Sequence, residues 1–126
     1  MPDPKLLDAF ATPTDAPLVI EHVAEEFTSV CPVTGHPDFG EVTVRFQPRA
    51  ARDSGVCVEL KSLKLYLHSF RNEGIFYEAV TDRIRDDLNT LMKPVWMQVV
   101  TSWRGRGGIR SVIRAGVGVI PVNTHF

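Results

Sequence analysis

Cys31 and Asp38 are the residues with the clearest capacity for covalent chemistry, and they fall in one short stretch, Val30-Cys31-Pro32-Val33-Thr34-Gly35-His36-Pro37-Asp38-Phe39-Gly40. A thiolate is the strongest nucleophile among the side chains. At a reference pKa of about 8.5, however, a cysteine is only a few per cent ionised near neutral pH, so it needs an activating neighbour. Asp38, across the same turn, can take the thiol proton and return it to an adduct as a general acid. Pro32, Gly35 and Pro37 break any regular element, which predicts an irregular loop from Cys31 to Gly40 carrying both residues. Cys57, flanked by Val56 and Val58, reads instead as a small packing residue.

Two further clusters could bind anions. Lys61 and Lys64 lie three apart on one helical face and present two ammonium groups, while Arg106 sits in a glycine-rich turn, Arg104-Gly105-Arg106-Gly107-Gly108, whose amides also suit anions. That segment lacks the final glycine of G-x-G-x-x-G and joins two strands, so a Rossmann nucleotide site is excluded. Zinc ligands usually come in pairs. Cys31 and His36 form one Cys-x₄-His pair with no second pair, so no metal site is expected.

The elements that must hold these residues are legible from periodicity. Residues 1 to 17 read as an extended arm with Leu6, Leu7 and Phe10 as anchors, and residues 18 to 126 as a single domain. Strands are expected over Leu18–Val23 and Glu41–Gln47, then a helix from Glu59 burying Leu63, Tyr66, Leu67 and Phe70. A second helix carries Phe76, Val80, Ile84, Leu88 and Leu91 on one stripe and stops before Pro94. Strands over Val95–Val100 and Ile109–Arg114 follow. The order ββααββ predicts an α+β fold, an antiparallel sheet with both helices on one face. Its two open edges favour a symmetric oligomer.

Composition narrows the class. The chain has 126 residues, 44% of them hydrophobic, which suffices for one core. Fourteen basic against fifteen acidic residues give a net charge of −1, so no direct nucleic-acid binding is expected and small ligands are favoured. The basic end from residue 101 onward has Trp103 alone among its arginines, too thin an array for stacking a nucleic-acid strand. No apolar run approaches the roughly 20 residues of a membrane span. Two cysteines without a disulfide framework suit a reducing, cytoplasmic compartment.

Against this background the run Glu59-Leu60-Lys61-Ser62-Leu63-Lys64-Leu65-Tyr66 resembles the signature Glu, Ser or Leu, Lys, Ser or Ala, hydrophobic, Lys, Leu, Tyr or Trp. That signature marks the NADPH-dependent 7-cyano-7-deazaguanine (preQ0) reductases of queuosine biosynthesis. The cysteine loop upstream is similar to theirs as well, and the resemblance extends from Glu26 through Arg106, in the short, single-domain form of the family. It implies the tunnelling fold (T-fold), assembling into a ring-shaped homo-oligomer with active sites between subunits. It also implies that Cys31 attacks the nitrile to give a thioimide, that Asp38 donates the proton, and that two NADPH reduce the adduct to 7-aminomethyl-7-deazaguanine.

By the same resemblance Lys61, Lys64 and Arg106 contact NADPH, and Glu78 and Tyr77 bind the small-molecule substrate. The carboxylate of Glu78 can accept two adjacent N–H donors from a deazaguanine edge, although a glutamate there also offsets the helix macrodipole. Tyr77 departs from the family, in which a histidine commonly precedes this glutamate. Two other readings stay open: an archaeal-type transfer of ammonia to the nitrile in tRNA, which would share Cys31 and Asp38, and a purine-binding protein without catalysis.

Overall fold

The computed structural model describes residues 2–122, leaving the Arg106 side chain outside the description. In chain order the elements are β1 (Ala9–Ala11), β2 (Ile20–Val30), β3 (Pro37–Gln47), β4 (Val56–Val58), α1 (Leu60–His68), α2 (Tyr77–Met92), β5 (Trp96–Arg106) and β6 (Ile109–Val117). Four strands form an antiparallel sheet in the order β2-β3-β5-β6, and β1 pairs with β4 in a separate two-stranded sheet.

Alternation sets the main sheet. Along β3, Asp38, Gly40, Val42, Val44 and Phe46 are buried and the residues between them are not, the period of two expected of a strand with one covered face. The register places Gly40 opposite Trp103, Val42 opposite Thr101, Val44 opposite Val99 and Phe46 opposite Met97, so β5 presents the same face. An irregularity between Ala24 and Phe27 in β2 lets Ala24 and Phe27 both face inward across Glu25 and Glu26.

Both helices cover that inner face. α1 buries Ser62, Leu63, Tyr66 and Leu67, and α2 buries Val80, Thr81, Ile84, Leu88 and Met92, each a stripe at the helical period. These side chains share one core with Phe27, Val42, Val44, Phe46, Met97, Val99 and Trp103. Glu59 is not the first helical residue but the N-cap: its carboxylate accepts from the Lys61 and Ser62 backbone N–H groups at 2.7 and 2.8 Å. Those amides hold the Glu59 carboxyl below the usual carboxylate range. α2 ends at Lys93 in a left-handed conformation, φ 46°, immediately before Pro94. No helix among the described residues is long and apolar enough to cross a membrane.

Three expectations are corrected. The irregular loop is shorter than Cys31–Gly40, because β3 begins at Pro37, which pairs with Val30. A proline is tolerated there since the first position of a strand need not donate to the ladder. Likewise β5 runs through Gly105 to Arg106, and only Gly107 and Gly108, with φ of 58° and 81°, make the turn. The β1–β4 pair was not expected at all. It ties the arm to the body, and of the three expected anchors only Leu7 is buried, Leu6 and Phe10 being 38% and 50% exposed.

Among the described residues a part-buried polar contact joins the helices, from the Tyr66 hydroxyl to Asp87 at 2.6 Å. Burial, reinforced by Asp87, raises the phenol pKa well above its ordinary value, so Tyr66 stays a neutral donor. Tyr66→Phe should therefore lower unfolding stability by about 1.5–3 kcal/mol, the range for a hydrogen bond to a charged group. A urea midpoint equal to wild type would show that this contact contributes nothing.

Candidate active site

The site is assembled by a short parallel bridge. At the end of β2, Val30 donates its N–H to the Glu73 carbonyl at 2.9 Å and accepts the Ile75 N–H at 3.0 Å. This docks the segment entering α2 against the strand that delivers Cys31. A concavity of about 300 Å³ results, lined on one side by Cys31, Pro32 and Asp38, on another by Ile75, Phe76, Tyr77 and Glu78, and at its mouth by Ile109 and Ser111. Cys31, Asp38, Tyr77 and Glu78 thus come from separate stretches of sequence to one cleft.

Cys31 is held by its own turn. Its N–H donates to the His36 carbonyl and its carbonyl accepts the Gly35 N–H, both at 2.8 Å. Gly35 has φ 73°, a left-handed conformation that a side chain would strain. The thiol is partly exposed. Its pKa is lowered first by the Thr34 hydroxyl and then by the Thr34 and Val33 backbone N–H groups, which outweigh the opposing effects of burial and of the Asp38 charge. The Thr34 oxygen also accepts the His36 N–H at 3.2 Å, which leaves its own proton available to donate to sulfur. The amino end of α2, which has no side-chain cap, faces the same concavity and adds a positive potential.

Asp38 is only 5% exposed. Tyr77 donates its hydroxyl to Asp38 Oδ1 at 3.2 Å, and the Tyr77 ring lies flat on Trp103, centroids 4.1 Å apart and planes 8° from parallel. Trp103 crosses Gly40, where an added Cβ would come within 2.9 Å of the indole and 2.6 Å of the Ser102 carbonyl. Glycine is needed there for close approach. Trp103 itself is 2% exposed, so it belongs to the core beneath the site and not to a surface array with the arginines.

Other expected residues fall elsewhere. Lys61 and Lys64 are exposed on α1 and do not line this concavity, while the Arg106 side chain lies outside the described residues. Cys57 is buried, 3.8 Å from the Thr12 hydroxyl. Among the described residues no group of three His, Cys, Asp or Glu side chains is placed to hold a metal ion. Ile75, Phe76, Ile109 and Ser111 were not foreseen as lining residues, because only the chain's path brings the start of β6 to the cysteine turn.

A partly exposed thiol and a buried carboxyl that line one cleft with a second carboxylate and an aromatic ring are the groups that nucleophilic addition to a small planar molecule calls for. Comparison with known proteins narrows this. The profile of the QueF-like protein family matches residues 37–119. A protein of Pelodictyon phaeoclathratiforme named NADPH-dependent 7-cyano-7-deazaguanine reductase is 54% identical over 99 residues, covering 79% of this chain and 81% of that one. A protein of the same name from Anaeromyxobacter dehalogenans is 51% identical over 116 residues, 91% of either chain. This chain belongs to the QueF-like family. Its fold is shared with an archaeosine synthase QueF-Like solved in the apo form, at a TM-score of 0.70 and 21% identity over 87% of this chain and 99% of that one, and it is the tunnelling fold.

The hydrogen bonds to the thiol make a chemical prediction. Because they favour the thiolate, the midpoint of Cys31 alkylation by iodoacetamide against pH should lie below the value of about 8.5 for a free cysteine. Thr34→Val removes the leading donor and should move that midpoint upward. An unchanged midpoint would mean that Thr34 does not activate the thiol.

Proposed function

We propose that this protein is an NADPH-dependent 7-cyano-7-deazaguanine reductase, forming the primary amine 7-aminomethyl-7-deazaguanine in queuosine biosynthesis. The observation that carries the reading is the convergence of Cys31 and Asp38 on one cleft in a chain about half identical to reductases of that name. The Cys31 thiolate adds to the nitrile carbon, forming a C–S bond, while one carbon–nitrogen π pair moves to nitrogen. Asp38 protonates that nitrogen, giving a thioimide. NADPH supplies the hydride for each of two reductions. Between them the C–S bond breaks and returns the electron pair to sulfur, so that nitrile, two NADPH and two protons become amine and two NADP⁺.

Glu78 and Tyr77 serve the substrate. Glu78, in the first turn of α2, accepts two N–H donors from the deazaguanine edge, and the Tyr77 wall flanks the planar ring. Lys61, Lys64 and Arg106 serve the cofactor. The two lysines suit phosphate oxygens, since both are exposed and no salt bridge among the described residues engages them.

The protein works as a ring-shaped homo-oligomer in the cytoplasm. Support comes from β2 and β6, whose outer edges pair with no further strand among the described residues, β2 carrying only the short Val30 bridge at its end. The mouth of the cleft points the same way: Phe76 and Ile109 are 58% and 71% exposed in the single chain, and a neighbouring subunit would cover them.

The test is NADPH absorbance loss on mixing protein with 7-cyano-7-deazaguanine, with the product read by mass spectrometry. Two NADPH consumed per amine formed is the expected result. A Cys31 adduct without NADPH consumption would replace this reading with ammonia transfer, and neither signal would leave a non-catalytic binder. Cys31→Ala should lower turnover by more than about a thousandfold and abolish the adduct. Lys61→Glu or Lys64→Glu should raise KM for NADPH about tenfold while sparing adduct formation; an unchanged KM would remove both lysines from the cofactor site.

A further inference from the structure

Beneath Tyr77 lies a buried chain of hydrogen bonds whose direction can be settled by counting protons. The Trp103 indole N–H can only donate, and it donates to Thr101 Oγ1 at 2.9 Å. Thr81 donates its hydroxyl to the Tyr77 carbonyl at 2.8 Å. The two threonine hydroxyl oxygens are 2.7 Å apart. Since the one proton of Thr81 is committed to Tyr77, Thr101 must donate to Thr81. Every proton is used once, running from Trp103 to Thr101 to Thr81 to Tyr77. Thr81 and Thr101 are 0% exposed and Trp103 2%, so no water competes and reversal would strand a buried donor.

The relay ends on the residue from which its first ring is stacked. Trp103 holds the Tyr77 ring through a flat contact at 4.1 Å, and the threonines hold the Tyr77 carbonyl. The phenol is thereby fixed at both backbone and ring, and its hydroxyl is delivered to Asp38 Oδ1 at 3.2 Å. The contact fixes the carboxyl at Oδ1, and with it the direction in which the group is presented to the cleft.

We propose that Trp103, Thr101 and Thr81 are positioning residues that hold the Tyr77 hydroxyl on Asp38, and so aim the proton that Asp38 delivers. The inference rests on the reductase reading above and assigns to Tyr77 an orienting role beyond flanking the substrate. The Thr101 hydroxyl also satisfies the buried Trp103 indole N–H, whereas the Thr81 hydroxyl facing it carries the chain on to the Tyr77 carbonyl.

The test compares Thr101→Val, Thr101→Ser, Tyr77→Phe and the Thr101→Val/Tyr77→Phe double variant. Thr101→Val should lower kcat about tenfold with KM for the nitrile within about twofold, and Thr101→Ser should restore it. Tyr77→Phe, which keeps the ring but removes the hydroxyl held on Asp38, should likewise lower kcat with KM for the nitrile within about twofold. The double variant should be no worse than the weaker single, since both act through one contact.

A wild-type kcat in both single variants, no rescue by Thr101→Ser of a loss in Thr101→Val, or a double loss equal to the product of the single losses, would overturn the proposal. Should Thr101→Val fail to fold, Thr81→Val breaks the relay one link on, and Tyr77→Phe leaves the core untouched; both carry the same readouts. Failure of the reductase reading is distinguishable. It shows as wild-type protein that consumes no NADPH while the near-UV circular dichroism of the stacked pair persists in Thr101→Ser and is lost in Thr101→Val, whereas failure of the positioning role shows as an active wild type whose kcat is unchanged in Thr101→Val and Tyr77→Phe.

Discussion

The two hydrogen bonds between Val30 and the segment Glu73–Ile75 are the constraint on which the rest of the site depends. Without them the turn bearing Cys31 would extend from the end of β2 with nothing opposite it, and the amino end of α2 would have no fixed relation to the sheet. A backbone bridge suits this task because its geometry is set by the ladder and not by rotamers. Once Val30 and Ile75 are joined, Tyr77 and Glu78 follow within the next turn of chain. Helix and nucleophile then approach to within one small concavity.

The core beneath that concavity explains why it keeps its shape. Trp103 can lie across β3 only because residue 40 is glycine, and its indole then supports Tyr77 from below. Phe27 meets Trp103 edge-on at 5.7 Å and tilts against Phe70 at 5.6 Å, and Phe70 meets Tyr66 edge-on at 5.4 Å. This aromatic series runs from the site to the contact between the helices, and interiors packed at such density do not yield to small displacements. Asp38 is therefore mounted on a rigid floor, while Cys31 stands on a turn at the edge of it.

Much of this was legible in the sequence, and what was not has identifiable causes. The helices and the strands of the main sheet announced themselves because their apolar residues recur with a period of 3.6 or 2. Cys31, Asp38, Tyr77 and Glu78 were all named from residue type and resemblance, and the structure brings the four together. β1 and β4 escaped because a strand of three residues contains no period to read. Pro37 and Gly40 suggested a loop, yet one sits where a strand tolerates proline and the other where a neighbouring indole needs room. Glu59 belongs to the motif but caps a helix. Trp103, Thr81 and Thr101 carried no signal, since nothing in their local sequence distinguishes a stacked, relayed cluster from ordinary core.

These differences separate the two groups proposed to do the chemistry. The Cys31 thiol is governed by donors within its own turn, Thr34 and Val33, so its activation is written in consecutive residues and can be read from them. Asp38 is governed by Tyr77, 39 residues away in sequence, and through it by a helix and a strand further on. A substitution at Thr34 removes the leading donor to the thiol. The acid, by contrast, responds to changes in the core. The two groups take their main hydrogen bonds from different parts of the fold, so in the proposed reaction thiol ionisation and proton delivery answer mainly to different neighbours, the Asp38 charge being the one influence that acts directly on the thiol.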